Sequence, residues 1–191
     1  MDLDAASSAS REQVVLGHGE PPRPATPRVV DPAAREVGEM VDRMLDDLAV
    51  LYSGFDRSVM ILDPGEFRPP VGAWVVVELG GRPLASGGVR RCEVGDTIGE
   101  LKRIWVEPEA RGRGVARVLL AALERRAAEL GYDEIYLDTG PRQHAAMRLY
   151  ETSGYEVISN YGRNAASTFL TSYAKRLRPP ATPRIASRSA W

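Results

Sequence analysis

The sequence is poor in the residues that build disulfides and metal sites. Its 191 residues include a single cysteine, Cys92, so no disulfide can form within the chain, as is typical of a reducing compartment. We expect Cys92 to be a small buried residue. The two histidines, His18 and His144, have no partners at metal-ligand spacing, so we predict no metal ion. No orienting partner for His144 is visible, which favours a solvent-exposed side chain.

Long apolar runs and an excess of one charge are also absent. No stretch of about 18 apolar residues exists, and the N-terminus lacks the basic and apolar regions of a secretion signal. We therefore expect a cytoplasmic protein without a membrane partner. The 25 basic residues nearly balance the 26 acidic ones, which argues against a nucleic-acid partner. A nucleic-acid-associated role for the basic end at 175–188 is a weaker alternative.

The sequence does contain enough apolar residues, 43% of the chain, for one hydrophobic core. Proline and serine dominate the two ends, where few apolar residues would offset the entropy lost on ordering. We therefore predict a disordered N-terminal tail at 1–27 and a flexible C-terminal tail at 178–191. Residues 28–177 then form a single folded domain.

Apolar periodicity within this domain predicts alternating strands and helices. The predicted strands span residues 28–30, 73–79, 83–92, 98–108, 134–139, 155–161 and 167–177. The predicted helices span residues 32–53, 115–130 and 145–154, and Asp31 is the expected N-cap of the first. This order indicates an α/β (α+β) protein with a single mixed, mostly antiparallel twisted sheet of about six or seven strands and flanking helices.

A glycine–arginine hinge, Arg111-Gly112-Arg113-Gly114, joins a predicted strand to a predicted helix. The first N–H groups of a helix are unpaired, and glycines allow them to approach an anion closely. The arginines can add charge-assisted hydrogen bonds to phosphate. The hinge therefore suits a pyrophosphate, and a plain surface turn is the alternative.

Two other phosphate motifs fit this hinge poorly. A dinucleotide fingerprint would need a third glycine where Arg117 stands. A P-loop would need Lys followed by Ser or Thr where Val115 and Ala116 stand.

Residues Glu100 to Tyr155 resemble the GNAT superfamily of acyl-CoA-dependent N-acyltransferases. Arg111, Gly114 and Ala116 match its Arg/Gln-x-x-Gly-x-Gly/Ala signature, and "ELKRIWVEPEARGRG" looks like its fourth strand and phosphate loop. The stretch "QHAAMRLYETSGY" is similar to its Asn-x-x-Ala-x-x-x-Tyr-Glu-x-x-Gly-Phe/Tyr block, with glutamine replacing the usual asparagine. The resemblance implies that residues 28–177 form a GNAT domain in which strands four and five splay apart.

The resemblance also implies acetyl-CoA as the cosubstrate. The pantetheine arm would lie between strands four and five and pair with the backbone of strand four, and the pyrophosphate would lie on the N–H groups that open the following helix. The cofactor-binding residues that it implies are Ile104, Trp105, Val106, Arg111, Gly112, Arg113, Gly114, Val115, Ala116, Gln143 and Tyr150.

Acyl transfer to an amine requires that the amine lose a proton, since a lysine-like amine has a pKa of about 10.4. Glu100 is the candidate base, because several members of the family keep a glutamate at this place. Strand alternation predicts that Glu100, Lys102, Ile104 and Val106 share one face. Lys102 would then lower the pKa of Glu100, so we expect proton removal through a water molecule. An amine-anchoring role and a plain ion pair with Lys102 are the alternatives.

Acyl transfer also requires a proton donor for the leaving thiolate and a hydrogen-bond donor for the oxyanion. The leaving thiolate benefits from a proton donor, and Tyr150 matches the tyrosine that the family uses as the acid. The alternative for Tyr150 is a purely packing role. The backbone N–H of Val106 would stabilise the oxyanion.

We therefore predict an N-acetyltransferase, a GNAT-type acyl-CoA N-acyltransferase. It would transfer an acetyl group from acetyl-CoA to a primary amine of a small molecule or peptide, by direct attack in a ternary complex. A non-catalytic acyl-CoA-binding or sensory module is the alternative. The chain resembles small bacterial members of the family, in which residues corresponding to 33–72 and 155–177 would select the acceptor. Arg163 hints at an acceptor that carries a carboxylate. The sequence is also compatible with a homodimer.

Overall fold

The computed structural model describes residues 25–60 and 63–177. Of the predicted tails at 1–27 and 178–191, residues 1–24 and 178–191, and with them His18, lie outside the described residues, whereas Thr26 and Pro27 belong to the first strand. The described chain forms seven strands: β1 Thr26–Val30, β2 Ala73–Leu79, β3 Arg82–Cys92, β4 Gly95–Val106, β5 Glu134–Thr139, β6 Glu156–Ile158 and β7 Thr171–Arg176. Its α-helices are α1 Arg35–Leu51, α2 Val115–Glu129 and α3 His144–Glu151.

All seven strands belong to one sheet in the order β1-β2-β3-β4-β5-β7-β6. Neighbouring strands are antiparallel except β4 and β5, which are parallel. These two strands pair only from Ile98 to Glu100 of β4, and β4 then continues to Val106 without β5 beside it. The predicted fold, a mixed and mostly antiparallel sheet with splayed fourth and fifth strands, is confirmed.

The helices cover both faces of the sheet, which explains why β2 is a nearly continuous apolar run. Val75 and Val77 of β2 pack into the core that α2 closes with Leu119 and Leu123. The intervening Val76 points to the opposite face, where α1 packs. Among the described residues, no helix is apolar and long enough to cross a bilayer.

The start of α1 differs from the sequence prediction. Asp31 is not its N-cap: α1 begins at Arg35 with Ala34 at the cap position. The Asp31 carboxylate instead accepts a hydrogen bond of 2.9 Å from the Ala33 N–H. It also forms an ion pair of 2.7 Å with Arg68. Asp31 therefore stabilises a turn that precedes the helix, which is the other common use of a short acidic side chain.

The last two strands are shorter than predicted. β6 ends at Ile158 and β7 begins only at Thr171. Between them the Asn160 amide donates to the carbonyl oxygens of Ser167 and Leu170 at 2.6 and 3.2 Å. These side-chain bonds hold the segment as a loop in place of a longer strand pair.

A bulge interrupts β4 and overturns one prediction. Arg103 has a φ of 58°, and the pairing with β3 shifts between Ser86 and Gly88. Because the extra residue reverses the alternation, Ile104 and Val106 pack against the α2 core, whereas Trp105 packs against α1. The expectation that Ile104 and Val106 share the face of Glu100 is therefore wrong.

Candidate active site

A cavity of about 620 Å³ opens where β4 and β5 separate. Its walls come from the end of α1, the middle of β4, the end of β5, the start of α3 and the loop that leads to β7. Four of the predicted catalytic and cofactor-binding residues line this cavity, namely Glu100, Ile104, Gln143 and Tyr150. The structure thus brings together residues from three separate parts of the chain.

Glu100 is buried in the cavity wall, with 4% of its surface exposed. One carboxylate oxygen accepts hydrogen bonds from Lys102, at 2.7 Å, and from the Tyr161 hydroxyl, at 2.9 Å. The other oxygen accepts from the Arg90 guanidinium at 2.8–2.9 Å. Lys102 in turn contacts Asp138 at 3.2 Å, so the carboxylate belongs to a continuous charged network.

The pKa of Glu100 reflects two opposing effects. Burial alone would raise the pKa of this carboxyl group, but the Lys102 ammonium and the Arg90 guanidinium outweigh burial, so the pKa lies below its usual range. The predicted effect of Lys102 is therefore present, and Arg90 adds to it. Glu100 is ionised at neutral pH.

Sequence reasoning missed the roles of Arg90 and Tyr161 in this network. Arg90 lies on β3 opposite Glu100, and its second carboxylate partner is Glu66 at 2.5 Å. Tyr161 approaches from the loop after β6. A buried Arg–Glu cross-strand pair gives one signal that could have found Arg90, because β3 and β4 form a hairpin. Nothing local indicates Tyr161.

Tyr150 is buried on α3 and faces the same cavity. Its ring contacts those of Tyr155 and Tyr173, each with centroids 5.7 Å away. Burial, with the nearby charge of Asp138, raises the pKa of Tyr150, so the phenol stays protonated. Its hydroxyl makes no hydrogen bond to any residue in the part of the chain that the structure describes.

Gln143 shapes the end of β5 from the position before α3. Its carboxamide oxygen accepts from the Gly140 N–H at 3.1 Å and from the hydroxyl of Thr139 at 2.5 Å. The glutamine that replaces the family's usual asparagine thus uses its carboxamide oxygen for hydrogen bonds within the protein. His144, the next residue, is exposed, as expected.

The glycine–arginine hinge forms an exposed turn ahead of α2. Gly112 and Gly114 both have left-handed backbone conformations, with φ of 73° and 79°. The backbone N–H groups of residues 112–116 donate to no acceptor among the described residues. A row of unpaired N–H groups at the positive end of a helix is a ready site for an anion.

The two hinge arginines behave differently. Arg111 turns back toward the protein, where its Nε donates to the Val106 carbonyl oxygen at 3.0 Å and its Nη2 contacts Asp47 at 2.5 Å. Arg113 is exposed and has no partner among the described residues. Arg113 is therefore the guanidinium that is free to meet a bound anion.

The backbone N–H of Val106 is available on the open side of β4, although its carbonyl oxygen is engaged by Arg111. The Glu107 N–H donates to the Leu84 carbonyl oxygen at 2.8 Å, and Val106 stands opposite Ala85. Because hydrogen-bonded and non-hydrogen-bonded pairs alternate in an antiparallel ladder, the Val106 N–H is expected to point away from β3, toward the gap. The neighbouring Trp105 is instead paired with Ser86 of β3, and its side chain is buried against α1.

Within residues 25–60 and 63–177 no group of three or more histidine, cysteine, aspartate or glutamate side chains is arranged to hold a metal ion. Cys92 is a buried free thiol, as predicted.

Comparison with known proteins places this geometry in a family. Residues 41–155 match the model of the acetyltransferase (GNAT) family. An uncharacterized N-acetyltransferase of Escherichia coli, YjgM, is 30% identical over 143 residues, which cover 71% of this chain and 77% of that protein. An IAA acetyltransferase of Azospirillum brasilense is 30% identical over 135 residues, covering 69% and 84%.

Solved structures agree on the fold. A GNAT-family acetyltransferase from Staphylococcus aureus superposes with a TM-score of 0.65 at 16% identity, over 80% of this chain and 100% of that chain. The structure of yncA from Salmonella typhimurium, which contains its cofactor acetyl-CoA, superposes with a TM-score of 0.60 at 19% identity, over 85% and 99%.

Proposed function

Because the chain belongs to the GNAT acetyltransferase family, we propose that it transfers an acetyl group from acetyl-CoA to a primary amine of a small molecule or peptide, by direct attack in a ternary complex. One observation carries the proposal. β4 and β5 separate beside a cavity that both Glu100 and Tyr150 line, and β4 leads on to a hinge whose N–H groups at 112–116 are unpaired among the described residues.

The residues present fit acetyl-CoA. Its pyrophosphate would lie on the N–H groups of Arg113, Gly114, Val115 and Ala116, within reach of the free Arg113 side chain. Its pantetheine arm would extend along the open side of β4, where the backbone of Ile104 and Val106 can pair with it. When bound there, acetyl-CoA supplies the activated acetyl group as a thioester.

Glu100 would assist removal of the amine proton. Both of its carboxylate oxygens are already engaged, and its pKa is low, so it is a weak direct base. We propose that an ordered water molecule takes the proton and that the negative charge of Glu100 stabilises the resulting cation. Lys102, Arg90 and Tyr161 hold the carboxylate in place for this role.

Tyr150 would act on the departing sulfur. Its phenol has a pKa above the roughly 8.5 of a free thiol, so full proton transfer to the thiolate would be uphill. We propose that the Tyr150 hydroxyl donates a hydrogen bond to the sulfur while the carbon–sulfur bond breaks. The thiolate then takes its proton from solvent. The Val106 N–H would stabilise the negative charge that develops on the carbonyl oxygen.

A thiol-release assay tests the proposal. Purified full-length protein is mixed with acetyl-CoA and, in turn, with amino acids, amino-acid amides, polyamines, aminoglycosides and peptides. We expect amine-dependent thiol release with at least one class, with the acetylated amine confirmed by mass spectrometry. Acetyl-CoA binding by calorimetry without any transfer would instead support a non-catalytic acyl-CoA-binding module, and an absence of binding would overturn both roles.

A further inference from the structure

One cation of the cavity wall has no carboxylate partner in the described chain. Arg90 lies between Glu66 and Glu100, and Lys102 lies between Glu100 and Asp138. Arg103 also lines the cavity, yet it forms no ion pair with any described residue. The carboxylates of Asp138 and Glu100 act on its charge only through space, without a direct contact.

The β4 bulge places Arg103 in this position. With its φ of 58°, Arg103 occupies the left-handed region that side-chain-bearing residues seldom adopt. One guanidinium nitrogen donates to the carbonyl oxygen of Met60. A guanidinium carries five N–H donors, and the others have no acceptor among the described residues. A strained backbone that presents unused donors to a cavity is typical of a binding site.

Burial of Arg103 favours an anionic ligand beside it. Desolvation lowers the pKa of its guanidinium to about 10; the charge of Arg90 acts in the same direction, and the carboxylates of Asp138 and Glu100 only partly oppose it. The group is still charged at neutral pH. An anionic ligand would offset the cost of holding this charge away from water.

The rest of the cavity wall facing α1 is apolar. Met44 and Leu48 of α1 line it, and Tyr52 packs edge to face with Phe169, with 5.4 Å between ring centroids. A ligand that binds the Arg103 guanidinium and also packs against this apolar wall needs an anionic group and an apolar body.

We propose that the acceptor is an apolar amino acid whose carboxylate Arg103 binds, while its apolar side chain lies against the α1 wall. This inference rests on the proposed acetyl transfer, because it names the substrate class of the same cavity. It also moves the carboxylate contact from Arg163, which the sequence suggested, to Arg103. The Arg163 side chain is 67% exposed and faces Glu93 at 3.9 Å, so its charge has a nearby partner.

The test compares amines that differ only in the carboxylate. Thiol release at saturating acetyl-CoA is measured with L-phenylalanine, L-phenylalaninamide and phenethylamine, and with L-leucine as a second apolar acid. We expect kcat/KM for L-phenylalanine to exceed that for the amide by tenfold or more. The amine of the amide is the less basic of the two, so this preference would not come from amine ionisation.

Four variants locate the contact. Arg103→Gln should lower the acid-to-amide ratio by about 10- to 100-fold, the range expected for charge-assisted bonds in a partly buried site. Arg163→Gln, in the same cavity, and Arg125→Gln, on the exposed face of α2, should leave the ratio within about twofold. Arg103→Lys keeps the charge without the planar fork and should give an intermediate ratio, which preserves the test if the glutamine variant does not fold.

The outcomes separate the two proposals. No thiol release with any amine would overturn the acetyl-transfer proposal itself. Transfer to amines with no preference for the acid would overturn only the inference. Equal losses on acid and amide in the Arg103 variants, or loss of the preference in Arg163→Gln alone, would also overturn it. Calorimetric binding of L-phenylalanine to the protein loaded with coenzyme A, weakened in Arg103→Lys and unchanged in Arg125→Gln, is the readout that does not depend on turnover.

Discussion

Arg111, in the hinge before α2, and Asp47, on α1, form an ion pair of 2.5 Å between residues 64 positions apart. The same Asp47 oxygen accepts a hydrogen bond of 2.9 Å from the indole of Trp105 on β4. The hinge, β4 and α1 are thereby joined at one carboxylate. Burial would raise the pKa of Asp47, but its bonds to Trp105 and Arg111 lower it below the usual range. Arg111 therefore fixes the position of the hinge, and the proposed phosphate contact falls mainly to the N–H groups and Arg113.

Gly114→Ala tests whether the hinge conformation matters. The left-handed backbone at Gly114 penalises a side chain by roughly 1–2 kcal/mol, although no atom lies within 4 Å of the added Cβ. We expect stability to fall by about 1 kcal/mol in urea unfolding and acetyl-CoA affinity to fall by calorimetry. Gly38→Ala, at an equally open but helical position of α1, should raise stability by about 0.5–1 kcal/mol and leave affinity unchanged. Equal affinity in the two variants would contradict the prediction.

Arg113→Ala tests the charge of the hinge. Because the Arg113 side chain is exposed and has no partner among the described residues, its removal should weaken acetyl-CoA binding about 3- to 10-fold without loss of stability. The loss should shrink as salt is raised, since salt screens exposed charges. Arg125→Ala removes an exposed arginine of α2 far along the helix and is the control. Similar losses of acetyl-CoA affinity in the two variants would mean that binding depends only on the overall charge of the protein.

Tyr150→Phe separates the hydroxyl from the ring. The ring still packs against Tyr155 and Tyr173, so we expect acetyl-CoA affinity to change by less than about twofold. Loss of the hydrogen bond to the departing sulfur should lower kcat about 10²-fold or more. Tyr155→Phe alters a neighbouring buried tyrosine that does not line the cavity and should leave kcat nearly unchanged. A fully active Tyr150→Phe enzyme would leave Tyr150 with a packing role only.

Glu100→Gln tests the charged network through its pH dependence. The net pKa of Glu100 is lowered in the folded protein, so its contribution to stability is present above the unfolded pKa and is lost as pH falls through the folded value. The wild-type protein should therefore lose stability as the pH drops below about 4.3, and the variant should lose less over the same interval. At pH 7 the variant should be less stable by about 3 kcal/mol, because Arg90 and Lys102 lose their shared partner.

The control for this series is Glu39→Gln. Glu39 forms an exposed ion pair with Arg35 within α1, and such pairs contribute about 0.5 kcal/mol or less. Urea unfolding of the three proteins from pH 3 to pH 7 provides the measurement. Parallel stability curves for wild type and Glu100→Gln would show that the network does not govern the acid response.

Much of the fold followed from local sequence pattern. The bounds of β2 and β5 coincide with their predicted ranges, and α2 begins at Val115 as expected. Each of these elements has a strong apolar pattern, either a continuous run or a regular period, and a glycine follows it closely. The bounds of β1, β4 and α3 differ from their predicted ranges by two or three residues at one or both ends. The start of α1 and the lengths of β6 and β7 also differ, because Asp31 and Asn160 bond to nearby backbone groups and so replace regular structure with turns.

The sequence by itself determined the order of the elements, the glycine hinge and the family, because these depend on residue spacing along the chain. The tertiary structure alone decided which face Ile104 occupies, since a bulge at Arg103 shifts the alternation without a local signature. It also decided the partners of Glu100 and Arg111, which come from other strands and helices. Contacts between residues tens of positions apart form only when strands pair and helices pack, so no local pattern records them.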